Sequence, residues 1–405
     1  MLETLVPDAA ARGRHLLSLL FTYWTVAGVV LALVTWAVTR RVQDERGREV
    51  LLLGASLSAL LVLAPLPVAL ALVAFVLVYW AAVELPPAPL GTAAALVLLV
   101  ALVVAPVWWI DWIGSFGLRV REFVVFSTNV VWLRCWAYLF DRRRGAPRLA
   151  PDRFLLANVF FPTAVQGPIE TPHAFGRHWE PPALLPGLLR VARGVAKLVV
   201  VEALFEPGWT GGLAFAGLDS MPRLWLWAVR FYVWFYLVFS GWSDVAIGLA
   251  RCCGRVVPEN FDRPWLARDP AEFWRRWHVS LGVWLRDYVY IPLGGNRRRW
   301  VLNIGLTFLV SAAWHIWGSV KYLGMGLFGP DAWDGFLVWG LLHATGVLAS
   351  RPIAAWHAAG GGRVAVARVA TFLFAAWCWI PFFMPSGVTL ETCLHMLTRM
   401  LWPFG

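Results

Sequence analysis

The sequence predicts an all-α, polytopic membrane protein. Of its 405 residues, 60% are hydrophobic and only 15% are charged, whereas soluble domains carry about 25% charged residues. Long apolar runs recur, such as Leu16 to Val38 and Leu224 to Ala250. Since about 20 apolar residues cross a bilayer as a helix, we expect roughly nine to eleven transmembrane helices, with re-entrant or interfacial helices besides. The runs lack the period-two alternation of a membrane barrel.

The basic clusters favour membrane topology over nucleic-acid binding. The net charge is +11, and arginines cluster at 40–41, 142–144 and 297–299. Between apolar spans such clusters are typical of cytoplasmic loops. We therefore predict the lipid bilayer, and no nucleic acid, as a partner.

Proline and glycine divide the first half of the chain. The first apolar run is too long for a cleavable signal, so we expect it to remain as a span. Leu51 to Trp80 contains Pro65 and Pro67, which predict two short segments or a broken hairpin. Residues 152–180 are too interrupted to span, so a re-entrant or interfacial segment fits better.

A polar notch interrupts the apolar stretch from Phe231 to Leu249. It contains Ser240 and Asp244. Because an ionised carboxylate is costly in lipid, we expect Asp244 to face the bundle interior; a position near a helix end is the alternative.

The densest group of charged and aromatic side chains follows Asp269. Asp269, Pro270 and Glu272 are typical of a helix start, and we predict one amphipathic helix from there to about Tyr288. Charged groups at membrane depth must face protein or a wet cavity, which makes this helix a candidate functional site. Its apolar stripe has three- and four-residue spacing and comprises Phe273, Trp277, Leu281, Trp284 and Tyr288.

Two features bear on the reaction chemistry. His315 ends an apolar run that starts near Val301; imidazole is the natural proton carrier near neutral pH, so this residue is a candidate general base. A hydrogen-bonded packing histidine is the alternative that spacing alone leaves open. No metal site is expected, and structural thiols are predicted, because no metal-ligand spacing occurs among Cys135, Cys252, Cys253, Cys378 and Cys393.

Several motifs occur together and in order. They are Phe160-Phe161-Pro162, Gly167-Pro168-Ile169, Phe239 to Asp244, Pro258 to Phe261, Phe273 to Leu281, Arg286 to Asn296 and Trp314-His315. The set resembles the membrane-bound O-acyltransferase family, most closely its bacterial alginate O-acetylation branch, with the teichoic-acid D-alanylation branch as a relative. The resemblance is dense from Phe160 to Gly346. It divides the chain into N-terminal transmembrane helices (1–150), a catalytic core (151–350) and C-terminal transmembrane helices (351–405).

The resemblance implies a many-helix fold around a central cavity reached from both faces. It implies that His315 is the catalytic base and that His278 lines the same chamber. There His278, or a donor near it, orients the acceptor or stabilises the oxyanion; a purely structural role for His278 is the alternative. No bound cofactor is implied; the co-substrate is an acyl thioester, acetyl-CoA or an acyl carrier protein. Substrate-binding roles are expected for Ser240, Asp244, Trp274, Arg275, Trp277, Asn296 and Trp314.

The sequence departs from the family's usual Gly-Leu-Trp-His-Gly motif around the catalytic histidine. Ile316 stands where the second glycine is common. Its larger side chain narrows the space beside the imidazole, so the preference of this protein for acyl group and acceptor is open to difference from that of the family. His343 matches a further family histidine. Its role is left open, and helix packing is the alternative to a role in the reaction. An acyl-cysteine intermediate at Cys252 or Cys253 is disfavoured, since nothing places a base next to them.

The leading hypothesis is an O-acyltransferase of the bacterial inner membrane. It moves an acyl group, most simply acetyl, from a cytoplasmic thioester to an extracytoplasmic hydroxyl, such as that of a polysaccharide or of a partner protein. The resemblance further implies a periplasmic partner acyltransferase of the SGNH serine-hydrolase type. A transporter or flippase with an Asp-Arg-His pathway is the rival from another class. Acylation of a lipid or a protein is the rival among enzymes.

Overall fold

A computed structural model describes residues 6–108, 115–116, 118–175, 177, 179–205, 220–323, 332–382 and 389–402. These residues form fourteen α-helices and no extended strand. The helices are α1 (Val6–Thr39), α2 (Glu45–Leu63), α3 (Leu66–Glu84), α4 (Ala88–Trp108), α5 (Leu118–Arg143), α6 (Pro151–Val159), α7 (Leu184–Leu204), α8 (Met221–Cys252), α9 (Pro270–Arg276), α10 (Val279–Leu285), α11 (Trp300–Leu323), α12 (Ala332–His357), α13 (Arg363–Cys378) and α14 (Leu390–Leu401).

The helical membrane class predicted from composition is confirmed. Within the described residues, four helical stretches are long and apolar enough to cross a bilayer: Leu66–Glu84, Phe123–Arg143, Met221–Cys252 and Trp333–His357. Shorter apolar helices occur at Tyr23–Thr39, Ala88–Leu102 and Trp300–Ile316.

The predicted proline break is confirmed. Helix α2 ends at Leu63 and α3 begins at Leu66, with Pro65 as its N-terminal flanking residue. Residues 151–175 hold only the nine-residue α6 and a 3-10 turn, Phe161–Thr163, which agrees with the expectation of a segment that does not span. All five cysteines are buried and unbridged.

The expectation of one helix from Asp269 to about Tyr288 is wrong. Helix α9 ends at Arg276, and α10 begins at Val279. A π-helical turn, Arg286–Tyr290, follows α10. Trp277 is extended and His278 has a φ of +45°, so the chain turns sharply between the two short helices. Periodicity missed the break because the apolar stripe continues across it.

The chain divides into two compact units. Unit 1 comprises the described residues of 1–14, 198–240 and 260–405, and unit 2 those of 15–197 and 241–259. The division into 1–150, 151–350 and 351–405 stays a prediction.

Unit 2 contains a close crossing of α7 and α8 through glycines. A Cβ added at Gly194 would lie 2.5 Å from the carbonyl oxygen of Gly241, and one at Gly248 would lie 2.6 Å from that of Gly187. The two glycines of each helix are seven positions apart, so they fall on one face. Only residues without side chains allow the two backbones to approach this closely.

A buried arginine holds the segment after α6 in unit 2. Arg134 donates to the carbonyl oxygen of Asn158 at 3.0 Å and to Oγ1 of Thr163 at 2.8 Å. Trp24 Nε1 donates to the carbonyl oxygen of Phe161 at 3.1 Å. The carbonyl oxygens of Asn158 and Phe161 thereby gain the partners that a regular helix would otherwise provide. The irregular Phe160-Phe161-Pro162 segment can therefore be completely buried.

Unit 1 is organised around aromatic side chains. Its buried cluster combines α8 residues such as Phe231 and Tyr232 with Trp277, with Trp339 on α12 and with Trp379 after α13. Buried aromatic rings carry large apolar surfaces and prefer edge-to-face or offset contacts. This cluster positions the histidines of the candidate site.

Candidate functional site

His315 lies on α11, and its ring is held by its own helix. Its Nδ1 lies 2.7 Å from the carbonyl oxygen of Ser311, one turn earlier. Because a carbonyl oxygen only accepts, we assign the proton to Nδ1 and the lone pair to Nε2. In this tautomer Nε2 is the atom that can take a proton from a hydroxyl. The residue is partly exposed.

Aromatic rings surround this imidazole. The ring centroids of Trp314, Trp339 and Phe382 lie 4.9, 5.1 and 5.2 Å from that of His315, and that of Phe336 lies 6.0 Å away. Phe336 and Phe382 come from distant parts of the chain, and the sequence analysis did not single them out. No spacing signal marks them, because they meet His315 only through the packing of α11, α12 and the end of α13.

His278 owes its position to the break between α9 and α10. A positive φ at a non-glycine residue costs about 1–3 kcal/mol and persists only where the surroundings enforce it. Asn260 enforces it here: its carbonyl oxygen accepts from Val279 N at 3.0 Å, and its Oδ1 accepts from Ser280 Oγ at 2.7 Å. Asn260 is fully buried. The sequence analysis missed this role, although the motif Pro258 to Phe261 was the signal.

His278 is buried and lies within electrostatic reach of His315. His278 is 9% exposed, and its ring meets Phe239 edge to face at 4.6 Å between centroids. Burial, and to a smaller extent positive charge on nearby His315, lowers the pKa of His278 to about 3. His278 is therefore neutral at pH 7, and one of its ring nitrogens carries a proton that can be donated to an oxygen.

Trp274 and Trp277, two of the three tryptophans expected to bind substrate, lie in different surroundings. Trp274 Nε1 donates to Nδ1 of His343 at 3.2 Å. Trp277 is 2% exposed and stacks on Tyr232 and Phe273, with centroids 5.7 Å from each. Trp274 thus links α9 to a third histidine, and Trp277 lies within the core that supports the site.

Three other predicted residues lie in varied places. Arg275 and Asn296 are exposed, and Asn296 Oδ1 accepts from the hydroxyl of Tyr290 at 2.8 Å. Ser240 is buried in unit 1.

Asp244 belongs to unit 2, where it is 3% exposed. The expectation that it faces protein is confirmed. Its carboxylate is contacted by Arg190 at 2.6 Å, Arg193 at 2.7 Å and Lys197 at 2.7 Å. Positions 190, 193 and 197 lie on one face of α7. The carboxylate therefore ties α8 to α7.

An ionic network anchors the helix that precedes His278. Asp269 Oδ1 accepts from Glu272 N at 2.8 Å, which caps α9. Burial alone would raise the pKa of Glu272, but hydrogen bonds from Arg268 and then Arg276 outweigh burial and lower the pKa to about 2. The start of α9 is thereby fixed before the break at His278.

A family model matches this part of the chain. Residues 160–328 match the membrane-bound O-acyltransferase family. The match contains both His278 and His315, and it confirms the resemblance that the motifs predicted.

Curated relatives carry acyl-transfer names. The chain is 40% identical over 235 residues to the probable alginate O-acetylase AlgI of Azotobacter vinelandii, covering 54% of this chain and 42% of the relative. It is 31% identical to the peptidoglycan O-acetyltransferase of Helicobacter pylori, covering 53% and 38%. It is 29% identical to the teichoic acid D-alanyltransferase of Streptococcus thermophilus, covering 44% and 50%. The chain thus spans half the length, or less, of these relatives.

Proposed function

We propose that this protein is a membrane-embedded O-acyltransferase that uses His315 as its general base. The observation that carries the proposal is the hydrogen bond from His315 Nδ1 to the carbonyl oxygen of Ser311, since it leaves the lone pair on Nε2. The names of the relatives support the reaction class, and the aromatic surroundings support a site from which bulk water is kept.

The reaction is a direct transfer without an enzyme nucleophile. Nε2 of His315 accepts the proton of the acceptor hydroxyl while the hydroxyl oxygen attacks the thioester carbonyl carbon. The tetrahedral intermediate then breaks its carbon–sulfur bond, and the imidazolium returns the proton to the leaving thiolate. A ring N–H of neutral His278 stabilises the oxyanion or orients the acceptor; one such donor contributes about 3–4 kcal/mol.

The proposed substrates are those that the resemblance to this family implies. We propose an acetyl thioester, acetyl-CoA or an acyl carrier protein, as the cytoplasmic donor, and a polysaccharide hydroxyl outside the bacterial inner membrane as the acceptor. A periplasmic SGNH-type acyltransferase is the proposed partner for delivery. Supporting this choice, two of the relatives above are named for O-acetylation of alginate and of peptidoglycan.

The test is acetyl transfer by membranes that contain the whole chain. His315→Ala should lower transfer of labelled acetyl from acetyl-CoA to surface polymer by about 10²- to 10⁴-fold, because the proton acceptor is lost. His395→Ala is the matched control, since His395 is exposed on α14, and it should keep full activity. Undiminished transfer by a folded His315→Ala variant would exclude the mechanism. If the label were found only in lipid or only in protein, the acceptor would be a lipid or a protein and the proposed polysaccharide acceptor would be wrong.

A further inference from the structure

Three hydrogen-bond donors of unit 1 are buried beside one another. The ring centroids of His343, Trp339 and Trp379 lie 5.5 to 5.7 Å apart in each pair, and the three residues are 0%, 1% and 2% exposed. Within the described residues, His343 Nε2 and the Nε1 atoms of both tryptophans have no hydrogen-bond partner.

The hydrogen bond from Trp274 determines which atom of His343 donates. An indole N–H can only donate, so His343 Nδ1 must accept from Trp274 Nε1. We therefore assign the proton of the neutral ring to Nε2. The unpartnered atom of His343 is thus a donor, as are the two indole nitrogens.

A site that offers only hydrogen-bond donors favours a ligand atom that accepts hydrogen bonds. Buried donors without partners are costly and few in native proteins. A carbonyl oxygen only accepts, and its two lone pairs can satisfy two of these donors at a time, whereas a hydroxyl or ammonium proton would find no acceptor among them. The next rings around His343 are apolar, with Phe273, Phe308 and Phe374 at centroid distances of 6.1, 6.3 and 5.9 Å. Such surroundings suit a short alkyl group beside the oxygen.

The donors lie one ring away from the proposed base. Trp339 is the shared neighbour, with its centroid 5.1 Å from that of His315 and 5.5 Å from that of His343. We infer that His343, Trp339 and Trp379 bind the carbonyl oxygen of the acyl thioester and hold its short acyl chain near His315. Of the two roles proposed for His278, orientation of the acceptor then remains. This inference rests on the proposed function and assigns it an acyl-binding site in which His343 contacts the substrate.

Two substitutions of His343 separate substrate binding from simple packing. The amide nitrogen of His343→Gln reaches the place of Nε2 and restores the donor, but it loses the acceptor for Trp274. The amide oxygen of His343→Asn replaces Nδ1 and keeps the bond to Trp274, but it leaves no donor at Nε2. We expect His343→Asn to lower acetyl transfer from acetyl-CoA by about a hundredfold, and His343→Gln to retain most of it.

The opposite order, with Asn active and Gln inactive, would show that His343 only positions Trp274 and would overturn the inference. Equal, full activity of both variants would overturn it as well. If neither the wild-type protein nor the control His395→Ala transferred acetyl, the proposed function and the inference would both be overturned.

A second measurement is needed if the His343 variants do not fold, which would be seen as aggregation in size-exclusion chromatography in detergent. Trp379→Phe removes one donor and keeps an aromatic ring. In infrared difference spectra of [1-¹³C]acetyl-CoA bound to His315→Ala protein, the donors should lower the carbonyl stretching frequency. Adding Trp379→Phe should move that band back up and, in the active protein, raise the KM for acetyl-CoA about tenfold. An unchanged band and KM would contradict the inference.

Discussion

The buried carboxylate of Asp244 in unit 2 and the buried imidazoles of unit 1 differ in how their polar atoms are satisfied. In unit 2, the buried carboxylate of Asp244 has three cationic partners on α7. In unit 1, the imidazoles of His315 and His343 lie among aromatic rings. Within the described residues, His343 Nε2 and the Nε1 atoms of Trp339 and Trp379 have no hydrogen-bond partner. A buried carboxylate paired with cations has a structural role, because loss of one partner leaves the other charges uncompensated, whereas polar atoms kept unsatisfied in an apolar site are available to a substrate.

The comparison also separates two kinds of helix contact. Unit 2 brings α7 and α8 together through glycines, so backbone meets backbone. Unit 1 brings α9, α12 and the end of α13 together through Trp274, Trp339 and Trp379. A glycine contact leaves no room for a ligand, while large rings define the walls of a site. We therefore expect substitutions in unit 2 to change stability first and activity second.

Removal of the Asp244 carboxylate should have the largest effect on stability. Asp244→Ala leaves three cations beside a buried position without their anion, which costs about 3–5 kcal/mol. Glu259→Ala is the matched control, since the exposed Glu259 pairs only with Arg190 within the described residues, and such a pair contributes about 0–1 kcal/mol. The midpoint of thermal unfolding in detergent, followed by tryptophan fluorescence, measures both. Similar midpoints for the two variants would contradict the structural role of Asp244.

A methyl group at the glycine crossing should have the next largest effect. Gly248→Ala forces α7 and α8 apart, because the new Cβ would lie 2.6 Å from a backbone oxygen; overpacking of this kind costs about 1–3 kcal/mol. Gly54→Ala adds the same methyl group to α2, where nothing lies within 4 Å. That control should be neutral or slightly stabilising, since alanine favours helix. The midpoints of thermal unfolding of the two variants test this prediction. An unchanged midpoint for Gly248→Ala would show that the crossing of α7 and α8 is loosely packed.

The smallest effect concerns the acid stability of unit 1. The pKa of Glu272 is about 2 in the folded protein, below the ordinary value of 4.5. Its ionised form therefore stabilises the fold above pH 4.5, and this contribution is lost as pH falls from 4.5 toward 2. Glu272→Gln should flatten the dependence of the unfolding midpoint on pH in that window. Asp262→Asn is the control, because Asp262 is largely exposed. An unchanged slope in Glu272→Gln would assign the acid sensitivity to other carboxylates.

The sequence by itself determined the membrane class, the break at Pro65, the burial of Asp244 and the two histidines worth examining. These follow from local properties: apolar length, proline geometry, the cost of charge in lipid and motif order. Only the tertiary structure decided that Asn260 bends the chain at His278, that Phe336 and Phe382 enclose His315, and that Trp274 binds His343. The physical reason is that such contacts join residues far apart in the chain, and their geometry depends on how whole helices pack, which no local spacing records.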